Sequence, residues 1–133
     1  MSEERQVARY YDRNTRRFLS FGHGGRELAL HRAVFGPGTE TREQAMQYVA
    51  GMLLKLFQRE KPSIIVDLGC GVGGTLFYLS SSYAATYFGV TNSQVQISIA
   101  RSLASGPTYH RSDAPITFIQ GSFMDDTVFR RIE

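Results

Sequence analysis

Nine consecutive positions hold the chemistry of this chain. Val66-Asp67-Leu68-Gly69-Cys70-Gly71-Val72-Gly73-Gly74 packs a carboxylate, a thiol and four glycines between an apolar β-branched run and a segment of helical character. Glycines at such a turn let the backbone approach a ligand closely, and the free N–H groups of the following helix attract an anionic or polar ligand group. Gly69, Gly71 and Gly74 also satisfy the Gly-x-Gly-x-x-Gly spacing shared by dinucleotide and nucleoside binders. Asp67 narrows the choice. Dinucleotide folds usually place an apolar residue there, and a carboxylate beside the loop repels a pyrophosphate but organises hydrogen bonds around a cationic ligand. A carboxylate that only braces the loop is the alternative. Cys70 sits where a small side chain is needed; a nucleophilic cysteine requires a base, and His23, His31 and His110 show neither that pairing nor metal-ligand spacing. No metal site is expected, and no catalytic residue can be assigned.

The elements that must position this loop follow from periodicity. Ile64 to Leu68 reads as a strand buried on both faces, Thr75 to Ser82 as a helix, and Thr86 to Thr91 as a second strand. Asn92 or Ser93 caps a helix running through Val95, Ile97, Ile99 and Leu103. A polar loop over 105–115 leads to a third strand, Ile116 to Gln120, and Asp125-Asp126 place negative charge on the first turn of a further helix. This βαβαβ order predicts an α/β, Rossmann-like parallel sheet of three strands over 62–133, the first half of an open doubly wound sheet.

Residues 1–61 form a helical lid or cap in the same reading. Glu3 to about Ser20 is a helix with Val7, Tyr11 and Phe18 on one stripe and Arg5, Arg9, Arg13 and Arg16 on another. The arginine stripe is either a solvated face or a cationic surface for an acidic substrate, such as a diphosphate, or for an anionic membrane. Glycines at 22, 24, 25, 36 and 38 mark loops. Thr41-Arg42-Glu43-Gln44 is a capping box. It opens a helix whose Ala45, Val49, Met52, Leu53, Leu56 and Phe57 predict one buried face, ended by Lys61-Pro62.

The stretch Asp67-Leu68-Gly69-Cys70-Gly71-Val72-Gly73 resembles the first motif of class I S-adenosylmethionine-dependent methyltransferases, whose cofactor carries the sulfonium and ammonium that Asp67 suits. Most members place an acid at the end of the second strand to hold the ribose hydroxyls. Here Gly89-Val90-Thr91-Asn92-Ser93-Gln94-Val95-Gln96 has none. The pattern resembles the subgroup of cyclopropane-fatty-acid synthases, sterol C-methyltransferases and isoprenoid or indole C-methyltransferases. That likeness implies ribose contacts from Thr91 and Gln96, with Asn92 beside them. It also implies adenine contacts around Gly121, Ser122 and Phe123, where Ser122 replaces the frequent acid. In the lid it implies that Tyr11 of Tyr10-Tyr11-Asp12 reaches the methionine end, and that His31 lies in a further cofactor-lid segment. With Asp67, Gly69, Cys70, Gly71 and Gly73 these complete the expected cofactor site. The resemblance implies an enzyme that methylates a small apolar acceptor (isoprenoid-, lipid- or indole-like) at carbon. The aromatic residues Tyr10, Tyr11, Phe18, Phe21 and Phe35 either serve that acceptor or pack the lid.

Composition agrees with a folded domain. The chain has 133 residues, 42% hydrophobic and 20% charged, which excludes disorder, and its single cysteine excludes a disulfide scaffold and suits the reducing cytoplasm. A net charge of +3 does not by itself imply nucleic acid. No apolar run is long enough for a membrane span. Eleven of the fifteen basic residues fall within 1–61. Two other readings stay open: an inactive methyltransferase-like interaction module, or an NAD-binding Rossmann half. The resembled family has a sheet of about seven strands, so three strands predict the N-terminal part only. The residues that choose the acceptor are then expected beyond Glu133, and the open edge of the first strand is expected to be covered, a homo-oligomer being one way.

Overall fold

The computed structural model describes residues 2–21, 28, 33–109 and 113–132. Eight elements follow in the order α1 (Glu3–Phe21), α2 (Arg42–Glu60), β1 (Ile64–Leu68), α3 (Gly74–Ser82), β2 (Thr86–Thr91), α4 (Gln94–Ala104), β3 (Ile116–Gln120) and α5 (Asp126–Phe129). The strands form one parallel sheet in the order β1-β2-β3, with Ile64 opposite Thr86 and Tyr87 opposite Ile116. All three strands lie where their β-branched runs predict, and the three-stranded Rossmann-like half is the architecture observed.

Local signals set the helix limits. Thr41 caps α2 with its side chain accepting from Gln44 N at 3.2 Å, while the Gln44 carboxamide oxygen accepts from Thr41 N at 3.1 Å, a reciprocal capping box. Lys61 closes the helix in the left-handed region (φ 51°), its N–H donating to Phe57 O, and Pro62 forbids another turn. Ser93, not Asn92, caps α4, its hydroxyl accepting from Gln96 N. Asp125 caps α5 by accepting from Thr127 N, which lowers its carboxyl below the ordinary value.

Strand alternation divides the core. On one face of the sheet Tyr87 and Phe118 pack with Leu76, Phe77, Leu79, Ile97 and Ala100 from α3 and α4. Tyr87 is fully buried, and its hydroxyl is satisfied by donating to Tyr83 O at 2.8 Å. On the other face Phe88, Val90 and Ile119 meet Val128 of α5. That face is covered only beside β3 among the described residues, so Ile64, Val66 and Leu68 of β1 are 49%, 38% and 46% exposed. The expectation of a first strand buried on both faces is therefore corrected.

A second correction concerns α2. Its buried residues are Ala45, Met46 and Ala50, with Leu53, Leu54 and Phe57 partly buried against the main core. Val49, Met52 and Leu56, expected on the buried face, are exposed. The apolar stripe is wider than the surface it packs on, and periodicity cannot say which edge of it meets a neighbour.

Candidate functional site

Above the C-terminal ends of the strands lies a cavity of about 820 Å³. The loop after β1 forms its floor. Gly69 and Gly71 adopt positive φ (87° and 58°), and the Gly69 and Cys70 N–H groups both donate to Val90 O at 2.8 and 2.9 Å. The loop is thereby tied to the middle strand. Gly89 makes that approach feasible, since a Cβ there would fall within 3 Å of Leu76, Phe118 and the Cys70 sulfur.

Of the expected site residues, the cavity wall includes Tyr11, Asp67, Gly69, Cys70, Gly71, Thr91, Asn92, Gln96, Gly121, Ser122 and Phe123. Gly73 is not among them. It is the N-cap of α3 at φ 91°, and a Cβ on it would lie 2.6 Å from the Phe118 ring, so it serves close packing of helix on sheet. His31 lies outside the described residues.

Thr91 and Gln96 act as a unit. Both are buried, and Thr91 Oγ1 donates to Gln96 Oε1 at 2.7 Å. The glutamine oxygen is thus committed and the Thr91 oxygen already accepts from Ser93 N at 3.4 Å, so what the pair can offer a ligand is the Gln96 NH₂ as donor and the remaining lone pair of the Thr91 oxygen. The Ser93 hydroxyl holds Gln96 through its backbone N–H at 3.1 Å.

Helix α1 is fastened at two points. Asp12 Oδ1 of α1 accepts from Ser93 Oγ at 2.5 Å and from Val95 N at 3.1 Å, so one carboxylate binds α1 to the N-terminus of α4, where the helix dipole favours it. At the other end Ser122 Oγ donates to Glu4 Oε1 at 3.0 Å and accepts from Met124 N. Between these points Glu3, Glu4, Val7 and Tyr11 face the cavity.

Val72 and Gly74 of the glycine motif also line the site, and Glu3 and Glu4, like Leu28, Thr75 and Met124, do so without a sequence signal of their own. The two glutamates show only as acids in a helix's first turn, and nothing local says that this turn overlies a strand end more than a hundred residues away.

Electrostatically the site has one sign. The charged side chains lining it among the described residues are Glu3, Glu4 and Asp67, with no Lys or Arg. The Cys70 thiol is pushed up to about 12, first by burial and then by the Asp67 charge, so at neutral pH it is protonated and no nucleophile. No group of metal-ligating side chains occurs among the described residues.

A parallel strand running into a glycine turn beneath α1, with a hydroxyl at the end of the neighbouring strand bonded to an amide on α4, resembles the first half of the Rossmann-like fold seen in class I S-adenosylmethionine-dependent methyltransferases. Sequence comparison points the same way. The chain is 44% identical over 46 residues to a probable chloroplastic tocopherol O-methyltransferase of Oryza sativa subsp. japonica, covering 35% of this chain and 13% of that protein. It is 28% identical over 118 residues to norajmaline N-methyltransferase of Rauvolfia serpentina, covering 78% of this chain and 38% of that one. Among solved structures it superimposes on the [4+2]-cyclase SpnF with a TM-score of 0.70 at 23% identity, over 88% of this chain and 43% of that chain. A geranyl diphosphate methyltransferase solved with its diphosphate and sinefungin gives 0.59 at 18% identity, over 88% and 48%. No protein-family profile matches. The chain thus spans well under half the length of these curated relatives.

Proposed function

We propose that this chain is the S-adenosylmethionine-binding part of a methyltransferase whose acceptor is a small apolar molecule methylated at carbon, residues 1–61 forming the lid and 62–133 the cofactor domain. The observation that carries the reading is the charge of the cavity: three carboxylates and no basic side chain among its described residues. Such a wall suits a ligand bearing a sulfonium and an ammonium, and repels the pyrophosphate of a dinucleotide. The names of the curated relatives, all methyltransferases, support the activity.

When bound, the cofactor supplies a methyl group already attached to an excellent leaving group. What remains for the protein is alignment and exclusion of water, and orientation alone can lower a barrier by roughly 7–11 kcal/mol in well-ordered systems. Gly69 and Gly71 let the main chain lie against the ligand. Thr91 and Gln96 hold the ribose through neutral hydrogen bonds, and Asp67, with Tyr11 from α1, serves the cationic end. Glu4, brought to the exit of β3 by its bond with Ser122, supplies from the lid the carboxylate that position 122 lacks. Phe123 offers a ring at the same end. The lone buried thiol suits the cytoplasm.

Isothermal titration with S-adenosylhomocysteine and with NAD tests the assignment. The chain should bind the first and not the second, and Thr91→Ala should weaken binding by about 1 kcal/mol, or roughly fivefold. Preference for NAD, or a Thr91→Ala variant that binds like the parent, overturns it. A folded sample that binds neither favours an interaction module.

A further inference from the structure

The outer face of α1 carries a dense cationic stripe, and the site described above makes no use of it. Helix α1 carries eight charged residues, and the structure separates them by sign. Its three acids are engaged inward: Glu3 and Glu4 line the cavity, and Asp12 holds α4. Its five bases, Arg5, Arg9, Arg13, Arg16 and Arg17, are all exposed. At about 100° per residue they fall within an arc of roughly 120°. The ion pair found among the described residues, Arg59–Glu60, involves none of them. Five guanidiniums on one helix face without carboxylate partners repel one another, a cost relieved by an anionic surface.

We propose that this face of α1 docks on an anionic lipid bilayer. One observation favours a bilayer over a soluble polyanion, and two more say how the chain would meet it. The cationic face is bordered by Tyr10, 54% exposed, and beyond it by Val7, 42% exposed, an aromatic and an aliphatic group of the kind that settles into a membrane interface. Val7 and Tyr11 also belong to the cavity wall, so the helix that meets the lipid is the helix that closes the site. Finally, residues 62–133 carry four basic and five acidic residues, so an approaching anionic surface is drawn to the lid rather than to the whole molecule. Docked in this way, the chain is held beside the phase in which an apolar acceptor dissolves. This deepens the methyltransferase reading by naming where the acceptor comes from, but the docking itself needs no cofactor.

Vesicle co-sedimentation tests the proposal on the purified chain. It should pellet with mixed phosphatidylglycerol–phosphatidylcholine vesicles, stay in solution with pure phosphatidylcholine, and be released by added salt. The triple variant Arg9→Gln/Arg13→Gln/Arg16→Gln should lose roughly a hundredfold in vesicle affinity, from about fivefold for each cation near an anionic surface. Its circular dichroism and its affinity for S-adenosylhomocysteine should match the parent's. No binding to the anionic vesicles, equal binding to neutral ones, or an unaffected triple variant overturns the proposal. So does tighter binding to single-stranded DNA or heparin than to vesicles at equal anionic charge, which assigns the face to a soluble polyanion. If vesicles bind and S-adenosylhomocysteine does not, the membrane face stands and the cofactor reading falls.

Discussion

Replacing Asp12 by alanine removes two hydrogen bonds from one carboxylate oxygen, those from Ser93 Oγ and Val95 N, and with them the clasp between α1 and α4. Hydrogen bonds to a charged acceptor contribute about 1.5–3 kcal/mol each. Asp12 is only half-buried, so the lower bound applies to both, and Asp12→Ala should cost about 3 kcal/mol of stability. The fully buried Ser93 hydroxyl, deprived of its acceptor, keeps that figure from being smaller. Asp12→Asn retains an acceptor of the same shape with neutral bonds of about 1 kcal/mol each, so it should lose only about a third as much. Urea denaturation followed by circular dichroism reads both values. A double-mutant cycle with Ser93→Ala isolates the pair and should give a coupling of about 1–2 kcal/mol. Because α1 brings Tyr11, Val7, Glu3 and Glu4 to the cavity, the alanine variant should also bind S-adenosylhomocysteine more weakly. An Asp12→Ala variant as stable as the parent, with costs simply additive to those of Ser93→Ala, would refute the clasp.

Two further predictions concern the glycine loop. Gly73→Ala should destabilise the domain by several kcal/mol, because its Cβ would overlap the Phe118 ring in a backbone region already unfavourable for side chains. Gly69→Ala meets no atom within 4 Å and should cost only the conformational strain, about 1–2 kcal/mol; thermal unfolding of the two variants makes the comparison. Cys70 should resist alkylation at pH 8 in the folded protein and react on unfolding. Its thiol ionises near 9 when exposed and about 12 when folded, so the unfolded chain loses its proton first. The contribution of Cys70 to stability should therefore be constant below pH 9 and decline as pH rises toward 12, a part of the alkaline loss that Cys70→Ala should remove in denaturation curves taken across that range.

What the sequence reveals here is set by how far apart the cooperating residues lie. The capping box of Thr41 and Gln44, the stop at Lys61-Pro62 and the three strands are governed by near neighbours, and each falls where pattern places it. The loop from Asp67 to Gly71 and the pair Thr91–Gln96 are legible for the same reason. Burial of α2 is not: Val49, Met52 and Leu56 continue an apolar stripe, yet their exposure depends on which partner the helix meets. Glycine spacing puts Gly73 in the same motif as its neighbours, while the direction of its Cα hydrogens, toward Phe118, assigns it to packing. Asp12–Ser93 and Glu4–Ser122 join residues 81 and 118 positions apart, and no local pattern encodes either. The cavity's single sign of charge is legible only at Asp67; Glu3 and Glu4 reach the site through the placement of a whole helix.

The tie between the glycine loop and the middle strand has a consequence for mutation. A single carbonyl, Val90 O, receives both the Gly69 and the Cys70 amide hydrogens. A main-chain acceptor survives any side-chain replacement at position 90 that leaves the strand in place, and the donors at 69 and 70 need only remain something other than proline. The height of the loop above the sheet is thus insulated from side-chain replacement at position 90, as the side-chain clasps of α1 are not, and Gly89 is where an added Cβ would disturb it. In amide exchange, those two hydrogens should be released together, by one opening of the strand end.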